Sequence, residues 1–211
     1  MKRYTGVRVL CQAMLDSDVG IFIGEGICRE ASSYVDKDKV LFFSDYDDYA
    51  ISLSLGVALG TDKRIFVFCE DNYFARNLSE LMQAGISKCR NIFFILFVGG
   101  LYNEVSATPV VFDSVNSQHG ILYNIGFLVH DYSKFFKNSK NPIKEIRDVW
   151  SRTKGPLAVL LKTERSNKQF EDVLMTDADS IKKVQDFISN KNIKGYRFDA
   201  PITAEDLSLE V

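Results

Sequence analysis

The chain has 211 residues, 46% of them hydrophobic and 26% charged, with a formal net charge of −2 and a pI near 5.8. That length fits one well-packed domain and is too short for two full catalytic domains, while the charge balance excludes a general attraction to nucleic acid or acidic membranes. The longest apolar runs, such as Ile92 to Val98, fall far short of the ~20 residues that cross a bilayer, and no signal-type apolar core follows Met1-Lys2-Arg3-Tyr4, so the expectation is a cytoplasmic protein.

Taken in chain order, Val7, Leu10, Cys11, Met14 and Leu15 recur at helical spacing, and Val19 to Ile23 is a short apolar run ending in Gly24-Glu25-Gly26. The alternation continues with Val40 to Phe43 as strand, Tyr49 to Leu59 as helix, Ile65 to Cys69 as strand, Tyr73 to Ala84 as helix and Ile92 to Val98 as strand. After a loop from Asn103 to Ser114 come a helix near Val115 to Tyr123, a strand near Phe127 to His130, a helix near Ile143 to Ser151 and a strand from Leu157 to Leu161, entered through Gly155-Pro156. Strands that are apolar throughout, separated by helices, imply an α/β fold: a doubly wound, mainly parallel six-stranded sheet with helices on both faces. This domain should close by about residue 165. Residues 166–211 are more polar, with one amphipathic helix near Ala178 to Ile188, and read as a C-terminal extension or oligomer arm.

Cys11, Cys28, Cys69 and Cys89 are scattered, with no Cys-x-x-Cys pair and no matching histidine spacing, so ordinary reduced thiols are expected. Cys69 reads as a buried strand thiol. His119 on a helix and His130 at a strand end have no evident acid or nucleophile beside them and read as structural. Phe42-Phe43 and Phe93-Phe94 fit a buried sheet. Arg29 and Glu30 read as a solvated helix start.

In an open parallel sheet the ligand crevice lies beyond the carboxyl ends of the strands. Those ends carry Gly24-Glu25-Gly26, Ser44-Asp45-Tyr46-Asp47-Asp48, Glu70-Asp71-Asn72, Gly99-Gly100, His130-Asp131 and Lys162. Acids at helix starts suit N-cap and first-turn positions, and the same oxygens suit a hard divalent cation. A cation site built from Asp45, Asp47, Asp48 and Asp71 is therefore one reading of these turns.

The segment Glu70-Asp71-Asn72, then Asn77-Leu78-Ser79-Glu80-Leu81, then Val98-Gly99-Gly100-Leu101-Tyr102 resembles the diphosphate-binding domain of thiamine-diphosphate enzymes. The pattern is most similar to phosphonopyruvate and sulfopyruvate decarboxylases, where a Gly-Asp-Gly turn, an Asn-Leu-x-x-Leu helix and an Asp-Asn-Gly-x-Tyr turn follow one another. The resemblance extends to Cys28-Arg29-Glu30, to Ser52-Leu53-Ser54-Leu55-Gly56-Val57-Ala58-Leu59, to Asn103 to Pro109 and to Gly155-Pro156-Leu157-Ala158-Val159, covering residues 5 to 165. It implies that Asp45, Tyr46, Asp47, Asp48, Glu70, Asp71, Asn72, Asn77, Gly99, Gly100 and Leu101 line the cofactor position. Asp71 and the Leu101 carbonyl would hold Mg²⁺ beside thiamine diphosphate. A separate pyrimidine-domain subunit would supply the glutamate that activates the cofactor, so a homo- or hetero-oligomer is implied.

The departures from that pattern fall on the ligand positions. Gly99 stands where the second side-chain ligand would be. Glu70 and Asn72 replace the glycines around Asp71, and Asp45-Tyr46-Asp47-Asp48 replaces a Gly-Ser-Met-Gly turn. Helix N-termini attract anions, but here the protein's own carboxylates can take those donors. Like charges a few ångströms apart repel by roughly a few kcal/mol at an effective dielectric near 20. Two functions follow: a 2-oxoacid decarboxylase subunit that works with a pyrimidine-domain partner, or a catalytically inactive relative that keeps the fold for a structural or regulatory role.

Overall fold

The computed structural model describes residues 1–44, 49–99, 114–164, 170 and 177–189. Its first half runs α1 (Arg3–Ala13), β1 (Val19–Ile23), α2 (Glu25–Ala31), β2 (Val40–Phe43), α3 (Ala50–Gly60), β3 (Ile65–Glu70), α4 (Asp71–Arg76), α5 (Leu78–Ile86) and β4 (Ile92–Val98). The second half runs α6 (Val115–Asn124), β5 (Leu128–Asp131), α7 (Phe135–Asn138), α8 (Pro142–Arg152), β6 (Leu157–Lys162) and α9 (Asp177–Ser189). The six strands form one sheet in the order β2-β1-β3-β4-β6-β5, and every pairing is parallel. Among the described residues no helix is long and apolar enough to cross a membrane.

Both faces of the sheet are buried, which is why its strands read as continuous apolar runs. Val19, Ile21 and Ile23 of β1 point into one core with Leu41, Val67, Phe94 and Leu96, covered by helices that include α3, α5 and α6. Val184 and Phe187 of α9 join this core where α9 packs on β2. The opposite core is aromatic. Phe22 stacks between Phe42 and Phe68, and Phe66 stacks on Phe93 with Trp150 of α8 at 4.6 Å. Rings at matching register positions on neighbouring strands give offset contacts beyond simple area burial.

The buried arginine at the start of β3 is paired. At the amino ends of the strands Arg64 donates through Nε and Nη2 to both oxygens of Asp18, at 2.8 and 2.7 Å, and through Nη1 to the Trp150 carbonyl. Asn91 donates to the carbonyls of Ala58, Thr61 and Lys63, closing the α3–β3 connection onto the start of β4.

Two helices are built differently from their sequence expectation. The helix expected over Tyr73 to Ala84 is two, because Asn77 leaves the helical conformation at φ −114° and ψ 33° and turns its amide onto the Tyr73 carbonyl at 3.0 Å. An Asn that bonds its own backbone competes with the helical ladder. Glu30, expected in solvent, is buried on α2. The segment before α1 also has a fixed partner: Lys2 and Glu164 form an isolated parallel bridge, with Arg3 N–H donating to the Glu164 carbonyl at 2.9 Å and Glu164 N–H to the Met1 carbonyl at 2.8 Å.

Candidate functional site

The topology puts the crevice between β1 and β3. From β1 the chain crosses to β2 on one side, and from β3 it crosses to β4 on the other, so α2 and α5 leave over opposite faces. That switch point is where ligands of open α/β sheets bind. Its walls are the Gly24 turn at the end of β1 and the Glu70-Asp71-Asn72 turn at the end of β3.

Gly24 has φ +98°, a conformation that favours glycine. A Cβ there would come within 2.7 Å of the Tyr73 ring, so the first turn of α4 lies directly against the end of β1. The crevice is thereby narrowed by a side chain of the protein itself. Asn72 accepts the Tyr73 N–H on its own side-chain oxygen at 2.9 Å, fixing the start of α4.

Asp71 is buried, 1% exposed, at the first position of α4. Its Oδ2 accepts the backbone N–H of Gly99 at 3.0 Å, across the 28 residues that separate the two turns. The bond ties the carboxyl end of β3 to that of its neighbour β4. A charge-assisted hydrogen bond to a buried carboxylate is among the stronger single contacts in a fold. Beside it, burial first and the Asp71 charge second push the Cys69 thiol up to about 12, so this thiol is an inert core group.

Glu70 is neutralised from outside the motif. Arg3 of α1 ion-pairs with Glu70, and its Nε and Nη2 donate to the two oxygens of Glu30 at 3.0 and 3.1 Å. One guanidinium thus sits between two carboxylates, the buried Glu30 of α2 and the partly buried Glu70 at the end of β3. The charge that Glu70 brings to this turn is answered by Arg3.

Of the residues that the sequence assigns to the site, Glu70, Asp71, Asn72, Asn77 and Gly99 lie together around the ends of β3 and β4. Asn77 is buried in the α4–α5 break and bonds the Tyr73 carbonyl. Asp45, Tyr46, Asp47, Asp48, Gly100 and Leu101 lie outside the described residues, as does the Asn103 to Pro109 loop. Sequence reasoning misses Arg3, Glu30 and Tyr73, whose roles depend on partners distant in the chain; Arg3 and Glu30 are 27 positions apart.

A bound Mg²⁺ with a diphosphate needs several open oxygen ligands. Among the described residues no cluster of three or more His, Cys, Asp or Glu could hold a metal ion. Asp71 already accepts the Gly99 N–H, Gly99 has no side chain to offer, and Tyr73 takes up the space at Gly24. By themselves the described residues do not supply a ligand set for a magnesium–diphosphate group. The two histidines add no chemistry. His119 stacks beside Tyr123, and burial lowers the pKa of His130 on β5, keeping it neutral.

No protein-family model matches the sequence, and no curated protein matches it. Solved structures do. A Mycobacterium smegmatis protein described as a thiamin diphosphate-dependent enzyme superposes with a TM-score of 0.58 at 13% identity, covering 78% of this chain and 32% of its own. Benzoylformate decarboxylase from Polynucleobacter necessarius gives 0.57 at 12% identity, covering 82% and 34%. A split-gene transketolase, crystallised as an inactive β4 tetramer, gives 0.54 at 10% identity, covering 82% and 56%. The chain thus spans about a third of the length of the first two. Its six-stranded parallel sheet with flanking helices is an α/β fold that matches those of these solved structures.

Proposed function

We propose that this chain keeps the fold of a thiamine-enzyme diphosphate-binding domain for a structural or regulatory role, without binding thiamine diphosphate through its own turns. The observation that carries this reading is the hydrogen bond from Gly99 N–H to the buried Asp71 carboxylate. It makes the residue that matches a metal ligand into a clamp between β3 and β4, at a position where the matching second ligand has no side chain. Arg3 and Tyr73 support the reading, since each places protein groups where the resemblance would place cofactor and metal.

Calorimetric titration of the pure chain with thiamine diphosphate and Mg²⁺ tests it. The expected result is no binding heat, with Asp71→Ala lowering unfolding stability by about 1.5–3 kcal/mol because a buried donor loses a charged acceptor. Tight, Mg²⁺-dependent binding that Asp71→Ala abolishes would overturn it.

A second reading is favoured by the separation of 28 positions between Asp71 and Gly99, which is the spacing that the resemblance implies for two metal-ligand positions without a gap. In it the chain is the diphosphate-domain subunit of a phosphonopyruvate- or sulfopyruvate-type decarboxylase, completed by a pyrimidine-domain chain. The similarity to a split-gene transketolase is in keeping with such a division between chains. Under this reading the pure chain is silent, and heat appears only when a pyrimidine-domain protein is present with cofactor and metal.

A further inference from the structure

The stretch from Tyr132 to Lys144 holds Lys134, Lys137, Lys140 and Lys144 and no acid, in a chain whose formal net charge is −2. No other run of that length in the sequence combines as many bases with no acid. It leaves β5, the edge strand of the sheet, passes through α7 and enters α8. Its residues are sorted by kind. Tyr132 is buried and stacks on Phe135 at 5.1 Å, Phe135 meets Phe136 edge-on at 5.9 Å, and both phenylalanines pack with Ile143 against the aromatic core. Lys134, Lys140 and Lys144 are exposed, and none of them forms an ion pair among the described residues. Lys2 and Lys183 are exposed as well, yet they pair with Glu164 and Asp38.

Local folding does not account for these bases. Asn141 caps α8 and accepts the Lys144 N–H at 3.3 Å, so Lys140 stands just before the cap and Lys144 in the first turn. A helix start carries partial positive charge and favours acids, and the position three after a capping residue suits a Glu or Gln that reaches back to the cap. Lysine there sets like charge beside like charge. Glu145 is the one acid in that turn, and it is partly buried. A local preference broken without gain to the fold points to a role outside it.

We infer that this basic segment is a docking surface for an acidic stretch of another polypeptide. Exposed, unpaired lysines attract carboxylates and steer their approach. The patch is also bounded: Asp131 and Asp148 are exposed on either side of it, with Glu145 next to Lys144. A nucleic-acid strand or an anionic bilayer carries its charge well past the lysines and would meet those carboxylates, whereas a short acidic peptide ends within them. The phenylalanines argue the same way. Packed against the core, they offer bases no stacking platform and a membrane no apolar face. The surface lies at the β5 edge of the sheet, away from the crevice between β1 and β3. It goes beyond the function proposed above and stands whether or not a cofactor binds.

Fluorescence anisotropy tests it, with a labelled oligoglutamate peptide of roughly ten residues added to the full chain at low and at high salt. Binding is expected at low salt and lost at high salt, because exposed charges are screened. Lys140→Glu combined with Lys144→Glu should weaken it on the order of 30-fold, by removing two attractions and adding two repulsions. The same pair changed to Gln removes the attractions alone and should weaken it on the order of 5-fold. Lys37→Glu combined with Lys182→Glu makes the same change in net charge at exposed positions elsewhere, Lys182 on α9 against the opposite edge strand β2. That variant should lose less than about 3-fold, since its charges lie beyond a Debye length of the patch. Far-UV circular dichroism should be unchanged in all three, because every substituted side chain is exposed. Absence of peptide binding at low salt overturns the inference, as does equal weakening by the two Glu double variants. Tighter binding to an oligothymidylate strand, or to vesicles of phosphatidylcholine with phosphatidylserine, also overturns it. None of these outcomes bears on the calorimetric test of cofactor binding.

Discussion

Arg3 is the residue on which most of the candidate site converges. Its guanidinium answers Glu30 from α2 and Glu70 from β3 while its own backbone is tied to Glu164. Removing the partner of a buried charge is far costlier than losing a surface pair. Arg3→Met should therefore lower stability by about 3–5 kcal/mol in urea unfolding, because it strands two carboxylates. Arg3→Lys should lose less, keeping the charge but not the fork that meets both oxygens of Glu30. If Arg3→Met unfolds at the wild-type midpoint, the triad is not holding α1 to the sheet. Nothing in the sequence identifies Arg3, because a basic residue three positions into the chain looks like any solvated helix start. The roles of Asp71 and Gly99 were half legible. Their spacing aligns with a metal-binding pair, but only the fold reveals that the glycine's N–H, rather than a side chain, faces the aspartate.

At the scale of elements, the strands were legible because all but the edge strand β5, Leu-Val-His-Asp, are largely apolar runs bounded by polar turns, and all six appear within a residue or so of their expected limits. The helices were less so. The break at Asn77 hides inside a continuous helical period, since an amide that turns onto the carbonyl four residues earlier leaves the apolar spacing intact. The short α7, Phe135–Asn138, has too few residues to establish any period. β5 is the edge strand beside β6, and its His130 is held neutral by burial. A histidine whose folded pKa lies below its unfolded value near 6.5 binds fewer protons folded than unfolded. Its contribution is fully present above pH 6.5 and is lost as pH falls through that value toward the lower folded one. Stability should therefore decline on acidification from pH 7 to 5, and His130→Gln should flatten that decline. An equal slope in both proteins would place the sensitivity elsewhere.

For the whole molecule, the described core includes a helix from beyond residue 165. Phe187 of α9 is 8% exposed in the same cluster as Val19 and Leu41, with the Lys63 ammonium 4.5 Å above its ring. Deleting a buried aromatic side chain costs roughly 3–5 kcal/mol, so Phe187→Ala should shift the single unfolding transition to lower denaturant without splitting it. A separate early transition would instead mark α9 as an independently melting unit.

The bridge between Lys2 and Glu164 also bears on how the chain comes into being. Synthesis runs from the amino to the carboxyl end, so the segment around Arg3 is made long before Glu164 exists to receive it. Until Glu164 has been made, the arginine that pairs with Glu30 and Glu70 lacks this backbone partner. The segment just after the last strand of the sheet therefore fixes the backbone of the residue that pairs the charges of Glu30 and Glu70.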